Sequence, residues 1–366
     1  MNIALFHVTL PVPGEKPGGV SVAVHRLAEA LSTHPEDTVT VFSLTDAPPA
    51  PTYRHVQLFS GSEWLQSPPA SYAALPLFLN TVSFEDFDVL HLHGDDWFFV
   101  RRSLPTVRTM HGSALREARF ATSLKRRISQ RLIYPFEQLS ARLSTLTLAV
   151  GPDTARLYNT PFVVGNGVDL NHFRPGAKTS FPSVLFVGTW RGRKRGHFLY
   201  DTFTRQVAPQ HPDARLYMVS DECPSHEQVI HVPHPSDDAL AELYRESWVF
   251  AYPSVYEGFG IPYLEAMASG TAILCSPNEG ASFVLDDGAY AWIRPDEDFG
   301  ESLVRLLNDT SARQALAEKG RERALDFTWP RIASQHRALY KDAIARFHGD
   351  PSPSPSRPPR SAPLHS

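Results

Sequence analysis

Short runs of β-branched and apolar residues alternate with longer stretches of helical period through the first half of the chain. Runs at 3–8, 39–42, 88–93, 106–110, 146–150 and 162–164 predict strands, and amphipathic stretches such as 20–31 predict helices between them. Strands that alternate with helices build a doubly wound parallel sheet, whose ligands bind beyond the carboxyl ends of the strands. Residues 171–182 interrupt the pattern with Pro175, Gly176 and Pro182. A second alternation then predicts strands at 183–187, 214–219, 228–232, 248–252 and 272–275, with helices near 196–207, 237–246, 261–269 and 301–308. The expectation is two Rossmann-like domains, one over 1–174 and one over 175–330, with a final helical pattern at 330–347. No internal repeat of fixed period is visible. The Pro/Ser-rich end, 351–366, cannot bury enough apolar surface to offset its ordering entropy and is expected to be disordered.

Composition narrows the class. With 366 residues, 42% of them hydrophobic, the chain exceeds one ordinary domain. Lys and Arg number 35 against 39 Asp and Glu, a net charge of −4, so the basic excess of a nucleic-acid binder is missing. Two cysteines, Cys223 and Cys275, form neither a disulfide framework nor a zinc pair, which suits a reducing compartment. Residues 1–10 lack a basic n-region, and no later window offers about 18 uninterrupted apolar residues, so a soluble cytoplasmic protein is expected.

The densest chemistry lies in residues 253–270, PSVYEGFGIPYLEAMASG, a turn leading from a predicted strand into a helix. Gly258 and Gly260 allow the backbone to approach a ligand, Pro262 suits a first helical turn, and the free N–H groups there can hold sugar or phosphate oxygens. Glu257 precedes the helix and Glu265 lies about a turn inside it, so the two carboxylates bracket the turn and can hold two parts of one ligand.

These residues resemble the retaining glycosyltransferases of family 4, whose signature is two glutamates separated by seven residues, as Glu257 and Glu265 are. The resemblance extends through Gly18-Gly19-Val20, the DVLHLHG of 88–94, the TMHG of 109–112, the NGVD of 166–169, the FRP of 173–175 and the VGT of 187–189. It implies an α/β GT-B fold of two facing Rossmann-like domains with parallel sheets and an interdomain cleft. The first domain would bind the acceptor and the second a nucleoside-diphosphate sugar, and a C-terminal helix over 331–350 would return to the first domain. Glu265 would hold the donor ribose, while Glu257 and the backbone of Gly258, Phe259, Gly260 and Ile261 would hold the transferred sugar. Gly19, in the loop after the first strand, would offer its N–H to the diphosphate, and His111 would position the reacting sugar. The resemblance further implies retention of configuration, no cofactor and no metal.

A leaving diphosphate needs its developing charge neutralised, and Arg191, Arg193, Lys194 and Arg195 crowd one loop. The family uses an Arg and a Lys there; Arg193 and Lys194 are favoured, with Arg191 and Arg195 in reserve. His91 and His93 face one side of a predicted strand and, with His7 or His111, form a weaker metal-binding alternative. The aspartate pairs at 95–96, 237–238 and 286–287 could mimic an acidic metal motif, although Asp237 and Asp238 read as a helix start.

Between 116 and 131 the chain carries Arg116, Arg119, Lys125, Arg126, Arg127 and Arg131 against Glu117 alone, while Phe120, Leu124, Ile128 and Leu132 recur every four residues. This pattern over 116–132 is compatible with peripheral contact at an anionic inner membrane surface or with a phosphate-bearing acceptor; the preferred expectation is an apolar stripe packed on the first domain. The acceptor is expected to be a carbohydrate, a lipid-linked compound or a small molecule. Alternatives on the same donor site are a nucleotide-sugar hydrolase, an epimerase, or a non-catalytic nucleotide-sugar-binding scaffold.

Overall fold

The computed structural model describes residues 1–12, 18–61, 63–121 and 123–350. The expected tail at 351–366 lies outside the described residues. Among the described residues, twelve strands form two six-stranded, wholly parallel sheets. The first holds β1 (Asn2–Phe6), β2 (Thr38–Ser43), β3 (Arg54–Gln57), β4 (Val89–Leu92), β5 (Thr106–Met110) and β6 (Leu146–Ala149), in the order β3-β2-β1-β4-β5-β6. The second holds β7 (Ser183–Val187), β8 (Arg215–Val219), β9 (Val229–His231), β10 (Val249–Tyr252), β11 (Ala272–Cys275) and β12 (Trp292–Ile293), in the order β12-β11-β10-β7-β8-β9. Both sheets reverse their winding near the middle, between β1 and β4 and between β7 and β10, which is where open α/β sheets present a ligand crevice.

β3 and β12 escaped the sequence reading because they are short edge strands, and β3 is largely solvent-facing, so neither carries a run of buried residues. The predicted strand at 162–164 is corrected: it contributes only an isolated parallel bridge, Ala149 to Val163. The predicted helix at 196–207 is α-helical over Gly196–Thr202 and continues as a π turn over Phe203–Val207.

The first sheet is covered on one face by the helix Gly19–Ser32 and by the last helix, Trp329–His348. Val24, Leu27, Ala28 and Leu31 of the former share a buried cluster with Ile332, Ala333, Tyr340 and Ala343 of the latter. The Tyr340 hydroxyl lies 2.7 Å from His91 Nδ1 on β4, and Arg337 donates to Asp37 at 2.5 Å. The chain therefore passes between the sheets twice. The two passages lie side by side, with the Val168 amide donating to the Phe327 carbonyl at 2.8 Å. Gly165 and Gly167 permit this approach, since a Cβ on Gly167 would fall 2.4 Å from the Trp329 ring and one on Gly165 would meet the Phe259 ring at 2.5 Å.

Candidate functional site

β10 ends at Tyr252, and the chain turns through Gly260, at φ +100°, into the helix Ile261–Ala268. That conformation favours glycine, and a side chain there would also strike the Tyr263 ring. Glu257 is buried in this turn. Its Oε1 accepts from Arg193 at 2.5 Å, from the Tyr252 hydroxyl at 2.7 Å and from the Ser254 hydroxyl at 2.8 Å. Burial alone would raise its pKa, but the charges of Lys194 and Arg193 with the two hydroxyls outweigh burial and hold it below the ordinary value. Glu257 is thus a buried carboxylate anchored through one oxygen.

Arg193 also donates to the Tyr256 carbonyl at 2.8 Å and lies 3.3 Å from Glu117 of the first domain. Lys194 sits with its ammonium 5.3 Å from the centre of the Tyr252 ring and lowers the pKa of both Glu257 and Glu265. The structure therefore gathers Arg193, Lys194, Glu257 and Glu265. Arg195, at φ +55°, is instead fixed by a bidentate pair with Asp296 and by the Pro253 carbonyl, whereas Arg191 is exposed. Burial pushes the Glu265 carboxyl up to about 7, against the downward pull of the Tyr244 hydroxyl and Lys194.

On the facing domain, His7, His93 and His111 immediately follow β1, β4 and β5, so three neighbouring strands deliver imidazoles to one edge. His93 Nδ1 and His111 Nε2 share a hydrogen bond of 2.9 Å, and His91 is engaged by Tyr340 and Thr109. Burial, reinforced by neighbouring His7 and Arg108, holds His111 well below the ordinary histidine value. His91 is thereby committed to its neighbours, and among the described residues no group of three or more His, Cys, Asp or Glu side chains is disposed to hold a metal ion. Asp96 is likewise occupied, by Arg102, Arg108 and Ser140.

The domains meet at this edge. A Cβ on Gly258 would stand 3.1 Å from the His111 carbonyl oxygen, and one on Gly151 only 2.4 Å from the Gly258 carbonyl oxygen. Phe120 stacks on Tyr256 at 5.6 Å, and Arg156 of the first domain bonds Glu279 of the second at 2.8 Å. His111 and the Gly258 turn that carries Glu257 thus lie against each other where the two domains meet.

The profile described as Glycosyltransferase Family 4 matches residues 17–172, and that described as Glycosyl transferases group 1 matches 168–323. This chain belongs to the family 4 glycosyltransferases. Over 90% of its length it is 25% identical to a phosphatidyl-myo-inositol mannosyltransferase of Mycolicibacterium smegmatis, 92% of which is covered. The fold is similar to that of a sucrose-phosphate synthase from Thermosynechococcus elongatus, with TM-score 0.76 and 22% identity over 94% of this chain and 99% of that one. It is also similar to Anabaena HepE in complex with UDP-glucose, with TM-score 0.68 and 16% identity over 95% and 99% of the two chains. The architecture is GT-B.

Two expectations for this glycosyltransferase are corrected. Gly19 is not in a loop but opens the helix Gly19–Ser32, where first-turn N–H groups lack intrahelical partners and a Cβ would meet nothing within 4 Å. The amphipathic segment at 116–132 is not one helix. A short helix, Ala114–Glu117, and a 3-10 turn to Phe120 precede a separate helix, Leu124–Leu143, capped by the Ser123 hydroxyl. Its apolar stripe does not pack on the first domain: Leu124, Ile128 and Leu132 are 69%, 51% and 65% exposed. The sequence reading missed Tyr252 and Ser254, which hold Glu257, and Glu117, which reaches Arg193. The first two sit in the quoted strand and turn, where a hydroxyl three residues before a carboxylate was an available signal; Glu117 comes from the other domain and left none.

Proposed function

We propose that this glycosyltransferase moves a hexose from a nucleoside-diphosphate sugar to a carbohydrate, lipid-linked or small-molecule acceptor, with retention of configuration and without a metal or cofactor. The observation that carries the reading is the cluster at the carboxyl ends of β7 and β10: a fixed carboxylate at Glu257, a second carboxyl at Glu265, and Lys194 and Arg193 beside them, in a turn whose Gly258 lies against the His111 backbone of the other domain. Glu257 is gripped through Oε1, which leaves Oε2 to accept from a sugar hydroxyl. Glu265 accepts from the ribose diol, and amides at the starts of the helices Gly19–Ser32 and Ile261–Ala268 receive the diphosphate and sugar oxygens.

As the bond to the anomeric carbon breaks, charge grows on the leaving diphosphate, and Lys194 and Arg193 neutralise it. Arg193 is bound to Glu117 across the cleft, so the diphosphate competes with that carboxylate for the guanidinium. The acceptor enters on the same face as the leaving group, and closure of the two domains excludes water. Hexose transfer is supported by the mannosyltransferase relative and the UDP-glucose-bound neighbour. The reading sets the reaction in the cytoplasm, at the inner membrane surface where the acceptor is lipid-linked.

The test is thermal stabilisation by UDP, GDP, ADP and dTDP and their hexose conjugates, beside Glu265→Ala. One series stabilising the parent and not the variant supports the donor site, since a ligand at 100 times its Kd adds about 2.7 kcal/mol. Stabilisation by none overturns the reading. The anomeric configuration of the product, read by NMR, decides retention.

A further inference from the structure

The helix Leu124–Leu143 is apolar on two sides: Ile133, Tyr134 and Phe136 pack with Trp97, Phe98 and Ala114 of the first domain, and a second apolar stripe faces outward. Its attachment face carries Ile133 and Ser140, both buried, and Glu137, which accepts from the Ala114 amide at 3.1 Å and the Tyr158 hydroxyl at 2.5 Å. Ser140 bonds Asp96 and Arg108 below it. Leu124, Ile128, Leu132, Leu139 and Leu143, spaced by four, four, seven and four residues, form one stripe on the outward side. They make up five of the thirteen large apolar side chains exposed among the described residues. Every residue from Ser123 to Ile128 is exposed, so the first turn and a half stands clear of the body.

Charge flanks this stripe. Lys125, Arg126, Arg127, Arg131 and Arg142 are exposed on the same helix, and the one acid within it, Glu137, is turned inward. A chain of net charge −4 thus concentrates cations around an outward apolar strip about 30 Å long. A second copy docked here would bring Arg127, Arg131 and Arg142 against their own counterparts. An anionic bilayer satisfies both halves of the pattern, with leucines entering the acyl boundary and cations reaching the headgroups.

We propose that the helix Leu124–Leu143 is the surface by which this protein docks, in the plane of the interface, on a bilayer containing anionic lipid. The docking face begins four residues after Phe120, which stacks on Tyr256 at the crevice, so a docked helix holds the crevice mouth at the lipid surface. That the acceptor is then delivered from the bilayer rests on the proposed transferase reading; the docking itself rests on the helix alone.

The test is flotation of the full chain with phosphatidylcholine vesicles, with and without about 30% phosphatidylglycerol, at low and high salt. Binding is expected only with the anionic lipid and is expected to weaken in high salt. Ile128→Ser/Leu132→Ser and Arg127→Glu/Arg131→Glu should each reduce it at least tenfold, with circular dichroism and the thermal shift by nucleoside diphosphates unchanged, since all four side chains are exposed. In Leu132→Trp, indole emission should shift to the blue on anionic vesicles. No flotation with anionic vesicles, equal flotation with neutral ones, indifference to both double variants, or a dimer in light scattering that the serine variant dissolves would overturn the proposal. Loss of nucleotide binding with flotation intact would instead count against the transferase reading.

Discussion

Two carboxyls eight positions apart answer differently to pH because their surroundings differ. Glu257 is surrounded by donors and stays ionised, whereas burial leaves Glu265 titrating near 7. A carboxyl raised above its ordinary 4.5 binds its proton more tightly in the folded chain, so its contribution to stability is full below about 4.5 and is lost as pH rises through 7. Glu265→Gln should therefore remove a contribution that falls as pH rises from about 4.5 to 7, read as the pH dependence of the difference in unfolding free energy between parent and variant in urea titration. Donor affinity should run the opposite way in the parent, rising toward pH 8 as the acceptor carboxylate forms. In the Arg-rich loop, Arg193→Ala and Lys194→Ala should each lower kcat by about 10²–10³ in a diphosphate-release assay, the loss typical of one transition-state charge contact. Arg191→Ala should stay within about twofold. The sequence made the glutamate turn legible because its parts are contiguous. It favoured Arg193 and Lys194 but kept Arg195 in reserve, because what sets Arg195 apart is its left-handed backbone and its pairing with Asp296, 101 positions away.

Hydrophobic period identifies a helix but does not say which side of it faces the body. In Leu124–Leu143 two apolar sides compete, and the one that packs sets Ile133 and Phe136 against Trp97 and adds Glu137 and Ser140, whose partners come from elements 23 and 44 residues distant. The central strands were legible because burial on both faces leaves continuous apolar runs; of the four edge strands β6 and β9 were legible, and β3 and β12 were not. The last helix carries His336 and Tyr340 into the histidine-lined face of the first sheet. Burial lowers His7 and His336 to about 4, so the unfolded chain takes up protons below 6.5 that the folded chain refuses. Stability should therefore fall as pH drops from 6.5 toward 4, and His336→Leu should reduce that slope in Tm measured against pH. Tyr340→Phe, which removes the hydroxyl partner of His91, should cost about 1 kcal/mol in denaturant titration.

Gly151 has extended backbone that alanine can adopt, yet its added methyl would press on the Gly258 carbonyl of the opposite domain. Gly151→Ala should therefore wedge the crevice. The expected result is at least a tenfold loss of kcat/KM and a larger radius in small-angle scattering, with both domains still folded, because small misplacements of reacting groups cost heavily. The architecture also constrains how such an opening can proceed. A single tether would let one domain swivel freely against the other, but here two strands of chain pass between them at Val168 and Phe327, laced together by a hydrogen bond. Two adjacent tethers behave as a hinge pin: they suppress twisting and leave one rotational freedom about their common line. Groups beside the pin barely travel while those at the far rim sweep the widest arc, so the Gly165 contact with Phe259 is a fixed reference against which the crevice opens and shuts.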